Sequence, residues 1–579
     1  MGTTFSRFRL AVQSLRQIAA VYEQLNKRIQ QSPGIPVPHP STPYWAIPTS
    51  PIAQHGSSDA TPLPSCVDIV IIGSGMTAAA FARTMLGFGP EGSNSLPQIV
   101  MLEARDACSG ATGRNGGHIT PLVFHDYLVL KKEHGAEMAR SIIEFRLAHL
   151  AELIQVSKEE EILVDSQCRE VETFDVFFEQ ETFDSAVQNL NICLDEMPEQ
   201  RGKWRLVDAE ECVQDLQLSK RVIGAIATTA GVLHPYRFVT GILSRLLADH
   251  PTNFHLFTHT PCLSISSESS AKNDEPLYTV STSKGTIRAR HIIHATNAWA
   301  SHLLPPMRGK IVPVRGHMSA QRPGIGLGQA DVAESPLEQT HSAGPSDSAL
   351  TLADARVGSW LGTRSFVVYA NGRYDYLTQQ PGTQSASSSS HSLYPPPAAE
   401  FMFGGGASRG EIGEGGFIKE VGIADDRSWN LDTGAYLGGA LSMYFGGWGA
   451  EGRDFIGKRD TEESDASRVK KLWTGILGVS ADGQPWVGRL SVKISGRPAP
   501  RAKKSVSKDK PASRLAPPGE WISAGYSGEG MVHAYLSGKA LAHMVFGKED
   551  TGLPDAFLVT DARWKKAKLE NLVQTFIVE

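Results

Sequence analysis

Residues 67–72, Val-Asp-Ile-Val-Ile-Ile, form a nearly unbroken apolar run rich in β-branched side chains. Such a run predicts a strand buried on both faces of a parallel sheet. The Ala-rich stretch Met76–Leu86 predicts a helix and Ile99–Leu102 a second strand, so this part of the chain reads as a βαβ unit. Farther on, Phe366–Ala370 and Arg373–Thr378 flank Asn371-Gly372. That dipeptide supplies the positive φ angles of a two-residue turn, and the segment predicts a hairpin. Near the start, Phe8, Val12, Leu15 and Tyr22 beside Arg7, Arg9 and Arg16 predict a docking helix that ends before Pro33. A nucleotide-binding opening and a strand-rich middle together imply a composite α+β molecule.

Between these elements the patterning lapses. Pro33, Pro36, Pro38, Pro40, Pro43, Pro48, Pro51, Pro62 and Pro64 leave residues 31–65 as an extended lead-in, with the folded body expected to begin near Cys66. Gln321–Ser359 and Pro381–Ala399, with the serine-rich Ser385–Ser390, lack a buried face and read as flexible surface insertions. Lys493–Arg514 carries eight basic residues against the single acid Asp509, and a solvated charged loop is expected there rather than a docking patch.

With 579 residues the chain implies two or three domains, and 56 Lys+Arg against 61 Asp+Glu leaves a formal charge of −5, which disfavours a nucleic-acid binder. No apolar stretch approaches the roughly 20 residues of a membrane span. The six cysteines (Cys66, Cys108, Cys168, Cys193, Cys212, Cys262) include no CxxC pair, so neither a disulfide framework nor a metal site is expected. A cytoplasmic, reducing setting fits best. Met1-Gly2 with Ser6 also satisfies a myristoylation pattern, and the early arginines suit a mitochondrial presequence, which keeps a lipid anchor and a mitochondrial address as alternatives.

The chemistry starts where the first strand meets its helix. Gly73-Ser74-Gly75-Met76-Thr77-Ala78 has the G-x-G-x-x-G/A form of a dinucleotide turn. Gly73 permits the tight turn, Gly75 lets the backbone approach a pyrophosphate, and Ala78 keeps the helix close to the sheet. The helix N-terminus favours phosphate charge. Glu103, at the end of the second strand and followed by Ala104 and Arg105, is placed to accept from ribose hydroxyls; Gly87–Pro97 accounts for its late position as a loop insertion. This much is compatible with either NAD or FAD.

Ser109-Gly110-Ala111-Thr112-Gly113-Arg114-Asn115-Gly116-Gly117-His118 follows, a Gly-rich polar segment whose backbone can pass beside a planar ligand while Arg114 and Asn115 donate to it. Here the chain resembles the D-amino-acid-oxidase-type FAD-dependent oxidoreductases, most of all the branch with an R-N-G-G segment that includes gamma-glutamylputrescine oxidoreductases and fungal relatives. Further motifs resemble that family in its order. They are Gly231-Val232-Leu233-His234-Pro235 before a helix at Tyr236–Leu247, Ile292–Trp299 with Ala295-Thr296-Asn297-Ala298, Val312–His317, Trp473–Ile476 with Asp482-Gly483 and Pro485–Gly488, and Gly525–Met531.

The resemblance implies FAD, an α/β Rossmann-like FAD-binding domain assembled from 66–120, 220–310 and 470–550, and a sheet-rich α+β substrate domain from 121–219 and 311–469. Residues 1–65 precede these, 321–359, 381–399 and 493–514 interrupt them, and 551–579 form a tail. The FAD contacts it implies are Gly73, Gly75, Met76, Thr77, Ala78, Glu103, Ala104, Arg105, Thr112, Gly113, Arg114, Asn115, Gly116, Gly117, Cys262, Thr296, Asn297, Trp299, Gly525, Tyr526, Gly528, Glu529, Gly530 and Met531. The expected reaction is hydride transfer to flavin N5 from the nitrogen-bearing carbon of an amine or amino acid, with O₂ or another electron acceptor. His118, Tyr376 and Arg315 are the candidate catalytic residues, the last also a candidate inter-domain pair. A flavoprotein that holds FAD only for folding or docking is the alternative. Trp473–Ala481 contains no Cys, which implies a flavin without a cysteinyl link, and Met402 aligns with the lysine that sarcosine-oxidase relatives place near the flavin.

Overall fold

The computed structural model describes the chain apart from residues 1, 88–95, 268–276, 323–361, 371–372, 383–391, 393, 407–416, 447, 449–467, 501–514 and 569–579. The apolar run becomes β1 (Cys66–Ile72), at the centre of the first sheet, and Ile69, Val70 and Ile71 are fully buried. From edge to edge that sheet runs β16 (Trp486–Arg489), β17 (Gly519–Ala524), β10 (Gly285–His294), β1, β2 (Ile99–Leu102) and β7 (Phe254–Phe257). Strands β9 (Tyr278–Thr282) and β8 (Cys262–Ser267) extend from β10. The five strands from β17 to β7 are parallel, as a βαβ opening requires.

The connection from β1 to β2 is α2 (Met76–Gly87), whose Ala78, Ala79, Ala80 and Ala82 are completely buried. Small side chains let this helix pack close to its neighbours. Against it lies the Ala534–Val545 helix, where a Cβ on Gly538 would sit 2.4 Å from the Thr77 carbonyl oxygen, so only glycine permits the crossing.

The second sheet is ordered β15 (Val469–Ser480), β11 (Ile311–Gln321), β14 (Phe401–Gly404), β13 (Arg373–Gln379), β12 (Arg364–Ala370), β4 (Arg169–Phe177), β6 (Gly224–Val232) and β3 (His118–Ile119), with β5 (Arg205–Asp208) beside β6. The expected hairpin is β12–β13, paired in register from Ser365↔Thr378 to Ala370↔Arg373; its Asn371-Gly372 turn lies outside the described residues. Along β13, Leu377 joins Phe174, Phe366, Phe403 and Leu441 in a core on the far side of the sheet. Tyr376, with Met318 and Met402, faces the core shared with α2.

Three expectations change. Domain boundaries at 220 and 470 would group β6 and β15 with the first sheet, whereas pairing places both in the second. The lead-in is extended, as expected, but the folded body begins before Cys66: α1 (Gly2–Gln30), the expected docking helix, buries Leu25 and Ile29 against Leu304 and Met307, and the proline-rich segment after it bonds to β15 through Ser41 and Thr474 (3.0 Å) and to β10 through Ser65 and Arg288 (3.0 Å). Proline removes amide donors, yet Ser41, Tyr44 and Trp45 supply polar groups that find distant partners. Of the basic segment, Arg497 is no free loop charge, because its guanidinium donates to both Glu520 carboxylate oxygens (2.9 and 2.7 Å). Its residues 501–514, and most of the other two expected insertions, lie outside the described residues. Among the described residues no helix is long and apolar enough to cross a membrane.

Candidate functional site

A cleft of about 1260 Å³, its solvent-open mouth included, opens at the carboxyl ends of β1, β2 and β10, the end of a parallel sheet where ligands bind. The β1–α2 turn forms its floor. Gly73 has φ +104°, and a Cβ there would meet the Ala295 carbonyl oxygen at 2.5 Å, so the turn requires glycine. Its amide donates to Leu102 O at 2.8 Å, tying the turn to β2. Met76 N donates to Thr112 Oγ1 (3.1 Å) and Thr77 Oγ1 bonds Tyr526 Oη (2.6 Å), which fixes the Gly-rich segment and the C-terminal turn around the same helix end.

Glu103 is buried; one carboxylate oxygen accepts from Ser74 N (3.2 Å) and Ser74 Oγ (2.6 Å), the other from Arg105 N (3.0 Å). On the opposite wall Asn297 Oδ1 accepts from Gly525 N at 3.0 Å. Thr296 and Trp299 line the cleft, and Thr296 Oγ1 and Trp299 Nε1 are buried without a hydrogen-bond partner. Two such groups are costly unless a ligand satisfies them. Orphaned polar atoms, a glycine turn that no side chain enters and a carboxylate at the second strand end fit an adenine dinucleotide.

Of the expected contacts, Gly73, Gly75, Met76, Thr77, Glu103, Ala104, Arg105, Thr112, Asn115, Cys262, Thr296, Asn297, Trp299, Tyr526, Gly528, Gly530 and Met531 line the cleft. Ala78, Gly113, Arg114, Gly116, Gly117, Gly525 and Glu529 do not. Arg114 is a correction: rather than reaching a ligand, its guanidinium donates to the carbonyls of Ser109 (2.7 Å), Ser41 (2.8 Å) and Thr474 (2.7 Å). Burial lowers its pKa to about 10 despite Asp426 nearby. Asn115 also works within the loop, donating to Ala111 O and Thr112 O and accepting from Gly117 N. Sequence reading missed the cleft wall contributed by Gly34, Ile35 and Pro36, as well as Leu477 and Gly478 from β15. No periodic pattern or motif marks them.

The loop after the cleft leads to the inner face of the second sheet. Gly116 N donates to Tyr376 Oη (3.1 Å), Thr378 Oγ1 donates to Gly116 O (2.6 Å), and the His118 and Tyr376 rings stack at 6.4 Å. Burial lowers the His118 pKa to about 3 and pushes the Tyr376 phenol up to about 12, so both are neutral at physiological pH. Near them Arg146 is enclosed by Asp126 (2.6 Å) and Glu529 (3.3 Å), and burial pushes the Glu529 carboxyl above the usual carboxylate range against the pull of Arg146. Glu529 therefore belongs to this ionic group. Of the two roles expected of Arg315, the structure favours the pair: its Nε donates to Glu420 Oε2 at 2.6 Å and it lines no part of the cleft.

Among curated protein sequences no relative matches. Solved structures share the fold. The chain is similar to L-amino acid deaminase from Proteus myxofaciens in complex with anthranilate (14% identity, TM-score 0.54, 90% of this chain and 97% of that one). It is also similar to L-proline dehydrogenase from P.horikoshii (16%, 0.52, 89% and 99%) and to glycine oxidase from Geobacillus kaustophilus (15%, 0.51, 86% and 99%). The family described as DAO, FAD dependent oxidoreductase, matches residues 68–544, most of the chain, and the chain belongs to that family of FAD-dependent enzymes.

Proposed function

We propose that the protein oxidises a C–N bond of an amine or amino acid, hydride passing from the nitrogen-bearing carbon to flavin N5. The observation that supports this is the 109–118 loop, which lines the dinucleotide cleft at Ala111 and Thr112 and ends on the Tyr376 face of the second sheet. Bound FAD supplies the two-electron acceptor. In this reading Gly73, Gly75 and the α2 N-terminus receive the pyrophosphate, Glu103 the ribose, and Thr296 and Trp299 donate to the remainder. The neutral His118 ring adds no cationic field that would repel an ammonium group, and the Tyr376 hydroxyl, donating to Met318 Sδ (2.9 Å) and accepting from Gly116 N (3.1 Å), fixes the loop against this face. A cytoplasmic setting and a kinship with the gamma-glutamylputrescine oxidoreductase branch, including fungal members, belong to the same reading, through the free cysteines and the Arg114–Gly117 segment. The test is anaerobic titration of the holoprotein with free amino acids, polyamine derivatives and other amines. At least one class should bleach the flavin band; a flavin that none of them reduces overturns the proposal.

FAD is held without a cysteinyl link. Cys262 is the only cysteine lining the cleft among the described residues, and burial pushes its thiol up to about 12, which suppresses the nucleophilic thiolate. Acid precipitation is expected to leave the yellow chromophore in the supernatant; a yellow pellet contradicts this.

Reoxidation by air is expected to be slow. Met402 is fully buried, paired with Ala320 and Thr378, and carries no charge to favour the first electron transfer to O₂. Met402→Lys should accelerate reoxidation of the substrate-reduced protein, measured by stopped flow against an artificial acceptor. Fast, stoichiometric peroxide formation by the unmodified protein would return the assignment to a simple oxidase.

A further inference from the structure

We infer that residues 31–45 form a strap that closes the FAD cleft and sets the rate at which the cofactor enters and leaves. This rests on the cleft being the FAD site. Gly34, Ile35 and Pro36 form part of the cleft wall, although they lie far in sequence from every dinucleotide motif. On one side of that crossing the chain is held by Ser32, whose Oγ lies 2.8 Å from Nδ1 of the cleft residue His302, and by the buried Leu25 and Ile29 of α1. On the other side Ser41 is the anchor. Its amide and its hydroxyl both donate to Asp426 O (2.7 and 2.8 Å), its carbonyl accepts from Arg114 (2.8 Å), and its Oγ accepts from Thr474 N (3.0 Å). Trp45 Nε1 then donates to Asn115 O at 2.5 Å, directly on the Gly-rich loop.

Between the anchors the strap is held by a long hydrogen bond, from Arg105 Nη1 to Val37 O at 3.4 Å. Pro33, Pro36 and Pro38 offer no amide donors, and Ile35 is 39% exposed. Proline also makes the segment semi-rigid, so it moves as a unit rather than melting residue by residue. Gly34, at φ +72° with nothing within 4 Å of a Cβ, supplies a pivot. Lifting the strap therefore requires release of the buried Ser41 and Trp45 anchors, of the Tyr44–Glu400 hydrogen bond and of the long Arg105–Val37 contact, and not disruption of either sheet. A group that only holds bound FAD changes its departure. A strap across the opening slows arrival as well.

The test uses Ser41→Ala and Trp45→Phe in the full chain. FAD release from the holoprotein is followed by the rise of flavin fluorescence on dilution, and uptake by quenching when FAD is added to the apoprotein. Each variant should speed both release and uptake, by about tenfold for Trp45→Phe, which loses one buried hydrogen bond, and by more for Ser41→Ala, whose hydroxyl donates to Asp426 O and accepts from Thr474 N, with the bound flavin's visible spectrum preserved. Parental rates in both variants overturn the proposal, and so does faster release with unchanged uptake, which would make the anchors ordinary contributors to affinity. Retention of FAD by a Glu103→Arg variant would instead show that the cleft itself is misassigned.

Discussion

Glu103→Arg is expected to purify colourless. The wild-type carboxylate sits at the end of β2, holds Ser74 N, Ser74 Oγ and Arg105 N, and faces the cleft. An arginine there removes the acceptor for a ribose, leaves the Ser74 amide unsatisfied, and sets a second guanidinium beside the buried Arg105. An uncompensated buried charge of this kind costs about 3–5 kcal/mol, more than enough to displace a non-covalent cofactor. Glu103→Gln separates shape from charge. It keeps an oxygen for Ser74 but weakens the charged hydrogen bonds, and should retain FAD with affinity lowered by about 1.5–3 kcal/mol. The ratio of flavin to protein absorbance and an FAD titration measure both. A Glu103→Arg protein with full flavin absorbance would place the nucleotide elsewhere.

Asp426→Ala is expected to be the most destabilising single change outside the sheets. Asp426 is fully buried; its two oxygens accept from Arg105 Nη1 (2.9 and 3.1 Å) and one lies 3.5 Å from Arg114 Nε. Its removal strands two guanidinium groups that are themselves only 3% and 2% exposed. The expected loss is about 3–5 kcal/mol in chemical denaturation of the holoprotein. The adjacent Asp425 gives the internal control, because its carboxylate pairs with the exposed Arg427; Asp425→Ala should cost about 0.5 kcal/mol or less. Equal costs for the two substitutions would refute the assignment of Asp426 as the shared counter-ion.

That contrast also marks what was legible in the sequence. β1, α2 and β2 were readable because their signals are local: an apolar run, an alanine-rich stretch and glycines at fixed offsets all act within a few residues. The Gly73 turn and the Glu103 strand end followed from the same short-range geometry. Asp425 and Asp426 look identical in sequence, and only long-range packing makes one a surface charge and the other the hub for two buried arginines. The lead-in was read correctly as extended, but not as part of the folded body, for a related reason. Its prolines signal missing local hydrogen bonds, but Ser41 finds Thr474, 433 positions away. Arg114 stands in a segment correctly expected beside the cleft, yet nothing in the segment reveals that three carbonyls take up its guanidinium. β6 and β15 follow or precede first-sheet segments in the chain while pairing with the second sheet, a choice made by partner strands and not by their own composition.

Strand β15 carries a mechanical consequence. It forms the edge of the second sheet, paired with β11 from Val469 to Ser480, and the same strand delivers Leu477 and Gly478 to the cleft of the first. Swinging the two halves apart like a clamshell would have to shear that strand away from one side or the other. Traffic of ligands must then proceed by small excursions of surface segments over a fixed frame. Temperature should accelerate it with the modest activation enthalpy of loop motion, not with the steep dependence of domain unfolding.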